Sequence, residues 1–213
     1  MTGITLVFTI FFVPNTGKGE KPHLKEQLSI LKSPLLWLSI FAVIIIQAAI
    51  FGFYGYLSEF LHKVTQLNFT HISVILAIYG GTNIVGNILA GRALSTNANR
   101  SILLSAIFMS LLYVAIFVEA QNALVLAGII LVLGILAGIM NNAVHFMITD
   151  PFPKQAEFTN GIFLSVANIG LSLGAIICGY VSDMLDIKMS ALSSCILVVL
   201  GVIVVCVRAR VRA

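Results

Sequence analysis

Three long apolar stretches of this chain each carry one side-chain amide near the middle: Gln47, Asn83 and Asn168. An amide offers two donors and an acceptor without charge, so three at similar depth would hold a neutral, hydrogen-bonding solute by its polar edge. Each has companions at helical spacing. Gln47, Phe51, Tyr54 and Ser58 fall at i, i+4, i+7 and i+11, and Tyr79, Asn83 and Asn87 repeat at four. Gly134, Gly138, Asn141, His145 and Thr149 form another row, and Gly161, Ser165, Asn168 and Ser172 a fourth. The rings of Phe51, Tyr54 and Tyr79 suit stacking on a ring-shaped solute. The same amides also suit hydrogen bonds between neighbouring helices, and the same rings suit packing. Gly134, Gly138, Gly170 and Gly174 fit close helix contacts better than ligand contacts.

Other chemistry is poorly provided for. The histidines at 23, 62, 71 and 145 have no metal-ligand spacing, and no paired carboxylates or nucleophile with its base lie at one depth. No catalytic residue, metal or cofactor is expected. Cys178, Cys195 and Cys206 sit inside apolar runs and fit packed small hydrophobes, neither disulfides nor ligands. His145 is the only candidate for proton exchange inside an apolar run. Histidine ordinarily changes charge near neutral pH, which suits proton exchange; a neutral ring bonded to Asn141 or Thr149 is the plainer role.

The elements that must position these residues follow from composition. Of 213 residues, 59% are hydrophobic and 9% charged, against roughly 25% charged in soluble domains. A soluble core is excluded. Stretches free of Asp, Glu, Lys and Arg run over 33–58, 64–91, 101–118, 120–149, 158–182 and 189–207. Each reaches the roughly 18 residues of a membrane-spanning helix. The expectation is an all-α integral membrane protein with six spans, about 35–57, 72–91, 101–119, 122–149, 160–182 and 189–207.

The net charge of +4 does not point to nucleic acid, because the basic residues are scattered over short connections. Lys18, Lys21, Lys25, Lys32, Arg92, Arg100, Lys154, Arg208, Arg210 and Arg212 fall on one side, and only Lys63 and Lys188 on the other. The positive-inside rule then makes both the segment before the first span and the C-terminal tail cytoplasmic. Residues 24–33 fit either a short amphipathic helix on the inner surface or a solvated loop. Residues 4–13 are an apolar run too short to span, stopped by Pro14. Residues 1–13 are therefore expected to be the tail of a preceding span, with 14–34 as a cytoplasmic linker and 35–213 as a six-helix unit.

The unit carries an internal repeat. VGNILAGRALS (85–95) and LGAIICGYVSD (173–183) align Gly86 and Gly91 with Gly174 and Gly179. The first lies in the second span of one triplet and the second in the second span of the next. These spans cross in opposite directions, so the repeat is three helices plus three, inverted, as in secondary transporters.

These residues resemble a known family. GGTNIVGNILAGR (80–92) followed by Arg100 is similar to a glycine-rich helix end and basic loop of the major facilitator superfamily. NGIFLSVANIGLSLGAIICG (160–179) resembles the penultimate helix of its drug:proton-antiporter and sugar-efflux branch, and the charged segment before residue 35 resembles its central cytoplasmic loop. The loop departs from the family pattern at Ser95, where the family has Asp, and at Ala98, where it has Gly. The resemblance implies the C-terminal half of a twelve-helix secondary transporter in the plasma (inner) membrane, working by alternating access. It implies efflux of a drug, sugar or nucleoside-like solute by proton antiport, and a partner in a missing N-terminal half or a second six-helix half. It also implies a central cavity faced by the first, second, fourth and fifth spans. The expected solute ligands are Gln47, Phe51, Tyr54, Tyr79, Asn83, Asn141, Ser165 and Asn168. His145 is the candidate proton carrier, and Gly91, Arg92 and Arg100 a cytoplasmic gate loop. The competing reading is a six-span channel or structural subunit acting as an oligomer.

Overall fold

A backbone amide without a partner is too costly to leave in hydrocarbon, so each long apolar run has to satisfy its own hydrogen bonds as a helix. The computed structural model, which describes residues 24–212, has this form. A short helix α1 (Leu24–Ser29) and a 3-10 turn (Ile30–Lys32) lead into α2 (Pro34–Lys63). Then follow α3 (Phe69–Val118), α4 (Ala123–Thr149), α5 (Ala156–Met184) and α6 (Met189–Arg212). No strand occurs among the described residues. Six stretches are long and apolar enough to cross a bilayer: Pro34–Lys63, Phe69–Ser95, Arg100–Val118, Ala123–Thr149, Pro153–Met184 and Met189–Val211. All six expected spans are present, most of them longer than the hydropathy limits by a few residues. The expected tail at 1–13 and the first part of the expected linker, 14–23, lie outside the described residues.

Local signals set the boundaries. Pro34 opens α2 after Ser33, where its missing N–H costs nothing. Asn68 and Asn122 cap α3 and α4, their side-chain oxygens accepting from His71 N at 2.9 Å and Val125 N at 3.3 Å. Trp37 Nε1 donates to the Leu31 carbonyl at 2.9 Å and folds the preceding turn onto the start of α2. Between α2 and α3 the chain turns through Gln66, which adopts φ 60 and donates its side-chain amide to Lys63 O.

One boundary differs from expectation. The second and third spans are not separated by a loop: α3 is helical throughout, and residues 92–100 form a sharp bend within it. Ser101 Oγ donates to Ala93 O at 2.8 Å, whereas residues eight apart in a straight helix are separated by about 12 Å. The two arms, Phe69–Ser95 and Arg100–Val118, meet at this bend. Both ends of the bundle are then tied. At one end Thr65 Oγ1 donates to Ala120 O at 2.8 Å, joining the turn after α2 to the turn after α3. At the other end α6 reaches α2 and α4 through Arg208. The expected last span ends at 207 and leaves Arg208 in the tail; α6 instead continues past it, and the side chain is 1% exposed.

Lipid tails are as apolar as leucine, so these helices are held by close packing and polar contacts. Outward faces remain apolar and open, as Leu111, Ile196 and Ile203 illustrate. Inside, two seams of small residues bring backbones together. A Cβ on Gly86 would strike Ile135 O, and one on Gly138 would strike Asn83 O, so α3 and α4 touch backbone to backbone. A Cβ on Gly170 would lie 2.6 Å from Ile44 O, and one on Gly174 would strike Ala48 O, so α5 and α2 do the same. The matched glycines of the repeat, Gly86 and Gly174, thus play the same part. In each case the second helix of one triplet packs on the first helix of the other. Gly134, Gly138, Gly170 and Gly174 are helix contacts, as their spacing suggested. The second matched pair differs: Gly91 faces open space, while Gly179 faces the Tyr56 hydroxyl.

Gly174→Val should lower the thermal unfolding midpoint in detergent, by the equivalent of about 1–3 kcal/mol for overpacking a tight contact. Gly128→Ala, where nothing lies within 4 Å of the added carbon, should be neutral or stabilising by up to about 1 kcal/mol. Equal midpoints for the two variants would contradict the seam.

Candidate functional site

Three helices enclose a cavity of about 220 Å³. α2 contributes Ile50, Phe51 and Tyr54, α3 contributes Tyr79, Gly80 and Asn83, and α4 contributes Ala137 and Asn141. Five of the eight expected solute ligands meet here: Phe51, Tyr54, Tyr79, Asn83 and Asn141. The meeting follows from the seams. Gly134 and Gly138 let α3 approach α4 so closely that Asn83 and Asn141 face one space, and Gly80 leaves the α3 wall open beside them.

The two tyrosines form one wall. Their rings stack with centroids 4.8 Å apart and planes 24° from parallel. Tyr79 is buried and packs beside Gly134, whereas Tyr54 is partly exposed. Tyr79 is therefore the fixed member, and Tyr54 the one with an open side.

The amides are organised by neighbours. Gln47 is buried just beyond the cavity, and its Nε2 donates to Asn141 Oδ1 at 2.9 Å, leaving its own oxygen buried without a partner. With Oδ1 taken, Asn141 keeps its N–H donors for the cavity. A second chain of amides runs along α3 and α4. Asn142 Nδ2 donates to Asn87 Oδ1 at 2.7 Å, Asn87 Nδ2 to Asn83 Oδ1 at 3.4 Å, and Asn83 Nδ2 to Gly134 O at 3.4 Å. Asn142 was not singled out in the sequence, where it reads as a repeat of its neighbour. Its place on the adjoining face of α4, toward Asn87, is a matter of helix rotation that spacing on α4 alone does not reveal.

Ser165 and Asn168 are not part of this cavity. They lie on an exposed face of α5 with Gly161 and Ser172, and their side chains turn back on their own helix. Ser165 Oγ donates to Gly161 O at 3.0 Å, Asn168 Nδ2 to Leu164 O at 2.7 Å, and Ser172 Oγ to Asn168 O at 2.9 Å. Such back-bonding satisfies a polar side chain without a partner helix. Ser165 also borders a separate open groove near the start of α5, with Glu157 and Phe158.

His145 also has a different setting from the plainer one expected. Asn141 is engaged by Gln47, and Thr149 Oγ1 turns to the His145 carbonyl. The ring instead meets α5: its Nε2 lies 2.9 Å from Asn160 Oδ1, and its plane sits edge-on to Phe163 at 4.6 Å. Gly91, Arg92 and Arg100 are exposed on the bend of α3, where Ser95 Oγ donates to Arg92 O. All three cysteines are free. No group of three or more His, Cys, Asp or Glu able to hold a metal ion occurs among the described residues.

A sequence profile of the Major Facilitator Superfamily matches residues 36–213, the whole six-span unit. The chain belongs to this superfamily. Its curated relatives include the inner membrane transport protein YdhP of Escherichia coli strain K12 and of Escherichia coli O157:H7. Each is 22% identical over 172 residues, which make up 81% of this chain and 44% of the relative. The chain therefore spans about half the length of the curated relatives it matches. Six helices in two inverted triplets are what half of a major facilitator fold requires, and the cavity above is lined by three of them.

A double-mutant cycle on Gln47→Ala and Asn141→Ala should give a coupling near 0.6 kcal/mol and no more than about 1.7, the range for polar pairs between membrane helices. Reversible unfolding in mixed micelles measures it; additive effects would mean that the pair makes no stabilising bond.

Proposed function

We propose that this chain is the C-terminal half of a secondary transporter that moves a neutral, ring-bearing small solute by alternating access. The observation that carries the reading is the cavity wall. It combines a stacked tyrosine pair with uncharged amides inside a membrane bundle, where polar groups are costly and mark solute paths. At about 220 Å³ the space is smaller than the roughly 300–1,000 Å³ of pockets that enclose a drug-sized ligand. It suits one side of a site that a second half completes, and it suits a sugar, a nucleoside or a planar drug better than an ion. Ser165 and Asn168 belong to the same reading as a further wall, on the α5 face that such a second half would cover.

Export by proton antiport is part of the proposal. Its support is the likeness to the drug:proton-antiporter and sugar-efflux branch, together with His145, an ionisable ring inside a span. Gly91, Arg92 and Arg100 are proposed as the gate segment at the cytoplasmic end, and the orientation rests on the ten-to-two distribution of basic residues. No chemical change of the solute is proposed.

The test uses the full-length protein in proteoliposomes with a panel of labelled hexose, uridine and a planar neutral dye. One of these should show uptake accelerated by unlabelled solute on the far side, which a channel does not give. Asn141→Ala and Tyr79→Ala should each raise its KM about tenfold, the cost of roughly 1.4 kcal/mol of lost contact. Uptake of all three probes without trans-stimulation would favour a channel. Unchanged KM in both variants would remove the cavity from the solute path.

A further inference from the structure

We infer that Arg208 is a positioning residue for the cavity: a buried clamp that joins the ends of α2, α4 and α6 beneath the Gln47–Asn141 pair. The inference goes beyond the transport reading but uses its cavity, and its test does not depend on transport.

Arg208 continues the buried stripe of α6. Ala191, Ser194, Val198, Gly201, Val205 and Arg208 follow one another at intervals of three and four, and all six are buried. The stripe carries a cation into the bundle instead of into water. There Nε donates to Ser39 Oγ at 2.6 Å and Nη2 to Met147 O at 2.7 Å. Ser39 Oγ in turn donates to Leu35 O at 2.8 Å, so its lone pairs are free to accept from the guanidinium. Met147 O lies in the last turn of α4, where carbonyls lack helical partners and the helix dipole favours a cation. One planar fork thus serves two helices at once, a geometry that a point charge on a flexible stem does not reproduce.

Its placement connects it with the cavity. Ser39 is eight residues before Gln47 on α2, and Met147 is six residues after Asn141 on α4. The clamp therefore lies about 9–12 Å along these helices from the Gln47–Asn141 bond. α2 and α4 carry facing walls of the cavity, and polar ties hold them together at these two levels. A buried cation is expensive and usually functional in a membrane bundle. Here it fixes the spacing of the two helices whose separation determines where Asn141 points.

The experiment is hydrogen exchange, read by mass spectrometry, on the full-length protein in nanodiscs. Arg208→Gln should speed exchange in 34–41 and 144–149 by roughly tenfold or more, the size of a lost hydrogen bond to a charged group. Exchange at the far ends, 57–63 and 123–130, should not change. Arg208→Lys should restore protection at 144–149, where a single cation suffices, and leave 34–41 fast. Ser39→Ala should speed 34–41 alone, and it keeps the question open to test should Arg208→Gln fail to fold. A uniform rise across all peptides would reduce Arg208 to a general stabiliser, and wild-type exchange in folded Ser39→Ala and Arg208→Lys would remove the clamp altogether. Either result overturns the inference.

Discussion

Backbone approach at a handful of glycines is the constraint on which the rest of this bundle depends. Burying apolar side chains against one another gains little over leaving them in lipid, so dispersion contacts at short range and polar ties have to do the holding. Both grow steeply as helix axes approach, and only a position without a Cβ permits that approach. The α3–α4 and α2–α5 seams meet the requirement in equivalent places. They also decide where the polar residues lie: Asn83 offers its carbonyl to the seam at Gly138, and Gln47 packs its Cβ on Gly170. Tyr79 and Asn83, which border the cavity, are therefore seam residues too, and a change in the spacing of α3 and α4 cannot leave the cavity unaltered.

The polar side chains divide according to what faces them. Where two helices meet, as at Gln47 and Asn141 or Asn142 and Asn87, the amides bond across the gap. Where a helix faces outward, as α5 does at Ser165, Asn168 and Ser172, the side chains bond back to the preceding turn. The first leaves Gln47 Oε1 buried without a partner, whereas the second satisfies its donors within one helix. Only the second leaves them able to exchange partners at small cost when something approaches, because no other helix has to move.

Much of the architecture was legible because the solvent imposes it. Six charge-free runs of sufficient length admit few alternatives to six helices, and the glycine match exposed the inverted order of the triplets. The cavity was partly legible: spacing alone gathered Phe51 with Tyr54 and Tyr79 with Asn83 on their helices. What spacing could not supply was the rotation of one helix against another. That is why Asn168 looked equivalent to Gln47 yet faces outward, why the partner of His145 proved to be Asn160, and why Asn142 went unnoticed. Arg208 was missed for a different reason. A cation at the end of an apolar run usually reaches water, and only the three-and-four rhythm of α6, followed beyond the hydropathy boundary, reveals that this one turns inward.

The bend of α3 has a practical consequence. Connections between spans are the usual places for proteases to cut and for affinity tags to be inserted, because their backbone is open. Here Arg92 and Arg100 stand exposed on backbone that stays helical, and Ser101 ties the two arms together. Trypsin needs an extended segment, so both arginines are poor cleavage sites unless the helix opens locally. The connection 150–155 differs: a single 3-10 turn, Pro153–Gln155, separates α4 from α5, and Lys154 is exposed within it. Limited digestion and tag insertion belong at that turn, between the fourth and fifth crossings, and not at the bend.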